Sequence, residues 1–308
     1  MNKKLPIHLF LFSFLTFPCY WSTSHALNIQ VSIQPIHSIV AFICQGVEEP
    51  NLLITGPESP HTQGLNPSQI RSLQKADLVI WIGEEYESRW RQALKQHVNP
   101  TKTLTLIKVP DLTLYPYRHQ ALEHANNTHD SLHEGIDGHI WLDLHNVALF
   151  AKAIAEKLMN LDSQNQHIYQ KNLQNFIKKI QELERQLKTE AQTFKKAKYL
   201  SYHDGLLYFD KFFGTEMFAS LVLDPGFPPQ AKDLLKLKKK LSALPKQERP
   251  SCVFTESGFN DTLSERLAAE FNLKRQNIDY IGYTISSGPS AFFLMMRQLM
   301  TDIKNGLS

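Results

Sequence analysis

Cysteine is scarce in this 308-residue chain, which has only Cys19, Cys44 and Cys252. A disulfide-dense mini-protein needs many more, so that class is excluded. Neither sign of charge dominates, with 33 Lys and Arg against 30 Asp and Glu. That balance argues against a nucleic-acid binder, which shows a basic surplus. Beyond one N-terminal stretch, no apolar run approaches the about 20 residues that cross a bilayer. The metalloprotease pattern H-E-x-x-H is missing too, because His133-Glu134 meets its next histidine, His139, six positions on. No internal repeat divides the chain. At 42% hydrophobic it is too apolar for disorder, and it is long enough for one large or two ordinary domains. Histidine is what stands out, with 13 residues against 6 Met and 4 Trp.

The first 26 residues read as a secretory signal. Lys3 and Lys4 make a positive start, Leu5 to Pro18 is nearly all apolar, and Ser24-His25-Ala26 offers small residues for cleavage after Ala26. The apolar run is too short for an anchor. Lipid attachment at Cys19 is the other reading, but the bulky Phe17-Pro18 fits it poorly. Removing 26 residues leaves 282, with 31 basic and 30 acidic side chains and a net charge of +1. Cys44 and Cys252, 208 positions apart, are expected as two buried free thiols in a soluble, extracytoplasmic protein.

Strand-like and helix-like segments alternate. Asn28 to Ile33 and Ala76 to Ile82 read as strands, with a capped helix starting at Asn66-Pro67-Ser68-Gln69 between them. From Asp162 to Lys198 there is neither Gly nor Pro, and apolar residues recur every three or four positions from Leu173 to Phe194. This predicts one long amphipathic helix packed as a spine between two lobes. Tyr199 to Tyr202, Cys252 to Thr255 and Ile278 to Ile281 read as further strands, and Pro289 to Ile303 as a closing helix. The expected fold is α/β: two lobes, each a mostly parallel sheet flanked by helices, at 27–161 and 199–308, joined by the 162–198 helix.

The histidines divide into two classes. His119, His124, His129 and His133 share residues 118–135 with Glu123, Asp130 and Glu134. That segment has no apolar period and reads as a surface loop rich in imidazole and carboxylate, either an auxiliary metal collector or a solvated linker. His61, His139 and His203 sit instead where a strand ends or a loop turns into a helix. Ligand sites of open α/β sheets lie beyond the carboxyl ends of strands, so these three can converge between lobes. Asp143 is a plausible cap for the helix after His139.

These residues carry a family resemblance. Gly56 through Pro60-His61, then Pro67-Ser68, Leu73, Ala76-Asp77-Leu78-Val79 and Gly83 form its first part. His139-Ile140-Trp141-Leu142-Asp143, His203-Asp204 with Tyr208-Phe209, Phe254-Thr255-Glu256 and Asp279-Tyr280-Ile281-Gly282 follow in order. The chain resembles, over essentially its whole mature length, the periplasmic metal-binding proteins of bacterial ABC importers, in particular the zinc-binding, ZnuA-like branch. The resemblance implies a periplasmic monomer, not an enzyme, that carries Zn²⁺ to an inner-membrane permease. It implies His61, His139 and His203 as metal ligands, with Asp279 or water as the fourth. Three neutral nitrogens favour zinc over manganese, which prefers oxygen. The alternatives are manganese or iron uptake on the same scaffold, and a secreted zinc hydrolase. The chain departs from the family at Pro60, where some relatives have Glu, at Gly138 and Leu144, where Pro is usual, and at Cys252, which no later Cys can pair.

Overall fold

The computed structural model describes residues 26–56, 59–118, 135–222, 231–257 and 262–308. The signal segment up to His25, with Cys19, lies outside the described residues, as do Glu58 and the loop histidines His119, His124, His129 and His133. Among the described residues no helix is long and apolar enough to cross a membrane.

Two four-stranded sheets form the two lobes. The first contains β1 (Ile29–Val31), β2 (Asn51–Leu52), β3 (Leu78–Trp81) and β4 (Thr103–Thr105) in the order β2-β1-β3-β4. The second contains β5 (Lys198–Ser201), β6 (Glu216–Ser220), β7 (Cys252–Glu256) and β8 (Lys274–Ile278) in the order β6-β5-β7-β8. Every pairing is parallel, so each sheet is the kind that helices must cover on both faces. β1, β3 and β7 are buried along their whole length, as is all of β5 but Lys198; β3 is accordingly apolar throughout, while Gln30, Ser201, Thr255 and Glu256 are polar residues buried in the other three.

The helices begin where the chain supplies caps. Asn66 caps α2 (Pro67–Lys75) by accepting from Ser68 N and Gln69 N, while Gln69 returns a bond to Asn66 N. Asp143 caps α4 (Leu144–Leu161) through His145 N at 2.8 Å and Asn146 N at 3.3 Å, as its position before the helix predicts. The spine is α5 (Gln166–Ala191), 26 residues and about 39 Å long. It is shorter than the 162–198 segment read from sequence. A 3₁₀ turn over Ser163–Asn165 precedes it, and after Ala191 the chain turns through Lys196, whose φ is +68°, into β5.

Tyr169, Phe176, Ile180, Leu183, Leu187 and Ala191 form the buried stripe of α5. Each large member stabilises by about 1.5–3 kcal/mol relative to exposure. This stripe faces α4, α1 (Gln34–Ile43) and the closing helix α9 (Ala291–Leu307). Because α9 follows the second sheet yet packs on α1 of the first, one apolar core runs through both lobes. Cys44 and Cys252 are free and buried in it. Burial pushes both thiols up to about 12, which leaves them unreactive.

One strand lies elsewhere than expected. Ile278 to Ile281 reads as a strand, but β8 ends at Ile278, and Asp279 begins the turn beyond it. The shift puts Asp279 and Tyr280 at the carboxyl end of the second sheet, among the groups that line the cleft.

Candidate metal centre

Three imidazoles from distant points of the chain meet between the lobes. His61 lies in the turn after β2, where Thr62 N and Gln63 N both bond to Ser59 O at 3.1 and 3.0 Å. His139 starts the 3₁₀ turn Ile140–Leu142 that leads into α4. His203 comes two residues after β5, where Tyr202 N still bonds to Phe254 O. One ring nitrogen from each lies within 4.8 Å of the other two. Nε2 of His61 and Nε2 of His139 are 3.3 Å apart. Two nitrogens on one tetrahedral zinc at 2.0–2.1 Å stand about 3.3–3.4 Å apart, so this pair already has ligand spacing.

A carboxylate holds the opposite nitrogen in two of the three. Asp137 Oδ1 accepts both the backbone N and Nδ1 of His139, each at 2.8 Å. The carboxylate of Glu256, at the end of β7, takes Nδ1 of His203 at 2.8 and 2.9 Å. Carboxylate behind imidazole fixes the ring and raises its basicity as a ligand. Tyr280 Oη donates to Glu256 Oε2 at 2.5 Å and so fixes that carboxylate in turn. Gly205 makes this approach possible, since a Cβ there would lie 2.6 Å from Tyr280 Oη. On the other wall the ring of Tyr86 meets His61 edge-on at 4.4 Å and His139 at 5.2 Å. Gly138 gives Tyr86 its place, because a Cβ at 138 would sit 2.7 Å from Tyr86 Cβ. The Gly in place of the usual Pro is thus matched to a bulky neighbour.

The electrostatics hold neutral imidazole at two positions. Burial, reinforced by the other histidines, pushes His61 and His139 well below the ordinary imidazole range. Burial acts on His203 in the same sense, but Glu256, joined by Asp204 and Asp137, outweighs it and the net shift is upward. Glu256 shows the complementary balance, with its pairing to His203 overcoming burial and holding it below the usual carboxylate range. Burial raises Asp137 to about 6. Tyr86 stays a protonated phenol, with burial as the main cause and surrounding acidic groups adding to it.

Asp279, the fourth sequence-predicted ligand, lines the same cleft as His61 and His203. Its carboxylate accepts from Gly282 N at 2.6 Å, Thr284 N and Thr284 Oγ1 at 2.9 Å, and Ile281 N at 3.3 Å. The three histidines form the group of side chains among the described residues that could hold a metal ion, and Asp279 is not in it. Asp137, Glu256, Tyr280 and Tyr86 were not singled out for these contacts from sequence. Asp137, two positions before His139, and Glu256 and Tyr280, inside quoted motifs, left local traces, whereas Tyr86 left none.

Comparison with known proteins agrees with this architecture. The family model "Zinc-uptake complex component A periplasmic" matches residues 29–306. The high-affinity zinc uptake system protein ZnuA of Brucella suis is 26% identical over 310 residues, covering 91% of this chain and 92% of that protein. Its namesake in Yersinia pestis is 28% identical over 285 residues, with 88% of each chain covered. A crystal structure of ZnuA superposes with a TM-score of 0.77 at 24% identity, over 92% of this chain and all of that one. A zinc-bound deletion mutant of ZnuA gives 0.75 at 23% identity, over 92% of this chain and 99% of that one, and both show the fold is shared. With nearly the whole described chain inside one family match, the protein belongs to the periplasmic zinc-uptake component A family, whose members are solute-binding proteins and not enzymes.

Proposed function

We propose that this protein, exported through a signal cleaved after Ala26, captures Zn²⁺ in the inter-lobe cleft and delivers it to an ABC permease of the inner membrane. The observation that carries the reading is the convergence of His61, His139 and His203, with carboxylates behind two of them. Three neutral nitrogens suit zinc better than manganese or iron on the same scaffold. The fourth position goes to Asp279 or to solvent. Asp279 would have to exchange hydrogen bonds from its own turn for the metal, whereas water would not. Affinity falls as pH drops through the imidazole range because a ligand must be unprotonated. His203, with its raised value, is where protons first compete.

In this reading the monomer recognises a cation through local ligands and not through its nearly balanced charge. His119, His124, His129 and His133 form an auxiliary, weaker zinc station. Deleting 119–134 spares Arg118 and should lower the total zinc bound while the tight site remains. The deciding experiment is zinc titration of the variant carrying His61→Ala, His139→Ala and His203→Ala together. Loss of the single tight site is expected, and a surviving one-to-one stoichiometry would sink the assignment. Competition between zinc and manganese on the unaltered protein tests the choice of metal.

A further inference from the structure

Tyr86 carries a polar atom that the protein itself leaves unused. The residue is 1% exposed, and its buried hydroxyl has no hydrogen-bond partner among the described residues. Ser32 Oγ, Ser201 Oγ and Ser264 Oγ are also buried without a partner among the described residues, but of these four hydroxyls only that of Tyr86 belongs to a residue lining the cleft that holds the histidines, where an incoming group can satisfy it. The side chain has no freedom to seek another partner. Its backbone N bonds to Gly83 O at 3.1 Å, its ring is wedged against His61, His139 and Trp141, and its Cβ lies over Gly138. It lines the same cleft as His61, His203, Glu256, Asp279 and Tyr280.

The two acids of that wall are already engaged. Glu256 holds His203 and receives Tyr280, and Asp279 is bonded four times by its own turn. A zinc on three imidazoles has one tetrahedral position left. Resting on the three-histidine reading, we propose that the fourth ligand is a water or hydroxide and that the Tyr86 hydroxyl is its hydrogen-bond partner. Tyr86 is then a positioning residue for a ligand that can exchange. A solvent ligand also suits a carrier, because it departs without rearranging the protein.

The test uses Co²⁺ as probe on the full mature protein and on Y86F. Y86F deletes one unpartnered atom, so the metal-free variant should fold and melt as the parent does or slightly higher. The parent should bind one Co²⁺ with a four-coordinate visible spectrum that changes on a single ionisation of the bound water. In Y86F the stoichiometry should stay at one. The midpoint of that change should move up by about one pH unit, because a donor to hydroxide is lost, and Zn²⁺ should dissociate about tenfold faster. A merely structural tyrosine would move metal-free stability and leave the spectral midpoint alone. Identical midpoints and dissociation rates in the two proteins would overturn the proposal. So would a parent spectrum that D279N changes and Y86F does not, since the fourth ligand would then be Asp279. Retention of the Co²⁺ site by the triple histidine variant would instead overturn the three-histidine reading itself.

Discussion

At Nδ1, His139 is held by Asp137 and His203 by Glu256, and the two grips differ in a useful way. Asp137 lies two residues from its histidine and takes both ring and backbone, so it makes a rigid local loop. Glu256 reaches His203 from another strand and is itself pinned by Tyr280, so its grip ties β5 to β7. In both, Nδ1 becomes the donor nitrogen and Nε2 keeps the lone pair a metal needs. Replacing the carboxylate by an amide keeps the shape and removes the charge. Asp137→Asn and Glu256→Gln should each weaken zinc binding about 10–100-fold while one site per chain persists, as measured by competition with a chelator of known affinity. Unchanged affinity in both would mean the acids only pack the cleft.

Between elements, Arg118 reaches across to the second lobe. Arg118 Nε donates to both oxygens of Asp204 at 3.0 and 2.9 Å, and Nη1 donates to Asp210 at 2.5 Å. Asp210, on α6 (Leu207–Phe213), also receives Tyr199 Oη at 2.8 and 2.7 Å and Thr215 Oγ1 at 2.5 Å. Arg118→Met would leave two buried carboxylates without their cation, which costs about 3–5 kcal/mol in comparable buried pairs. Urea unfolding of the metal-free protein should show that loss. A change under about 1 kcal/mol would mean water replaces the guanidinium without penalty. The clasp was not legible in the sequence because it joins positions 86 and 92 apart, with no local pattern. The strands show a similar divide. β1, β3, β5 and β7 are the central strands, and their apolar residues, alternating in β1 and continuous in β3, let them be read directly. The edge strands could not: β8 is Lys-Arg-Gln-Asn-Ile, mostly exposed, so the apolar Ile278 to Ile281 drew the assignment past its true end. The three histidines were legible because they follow or precede readable segments, whereas Glu256 and Tyr86 act through contacts that folding alone creates.

At the scale of the whole molecule, the three converging histidines belong to both lobes but the lobes are already joined. Trp141 Nε1 donates to Tyr280 O at 2.9 Å, Tyr208 Oη donates to Asp137 O at 2.9 Å, and Gln34 Nε2 donates to Ile285 O at 2.7 Å. Phe292 N adds a bond to Ser38 Oγ at 2.8 Å, and α5 and α9 pack on α1 beneath the cleft. A wide hinge would have to break these contacts and split the shared core, so loading should proceed by small movements of the segments that carry His61 and His203. Two measurements separate this from hinge closure. Zinc at one hundred times its dissociation constant should stabilise the fold by about 2.7 kcal/mol, because the unfolded chain has no assembled site. The radius of gyration from small-angle scattering should stay the same within error on zinc addition. A clear contraction on loading would show that the lobes stand apart without metal, and the inter-lobe bonds would then be products of binding.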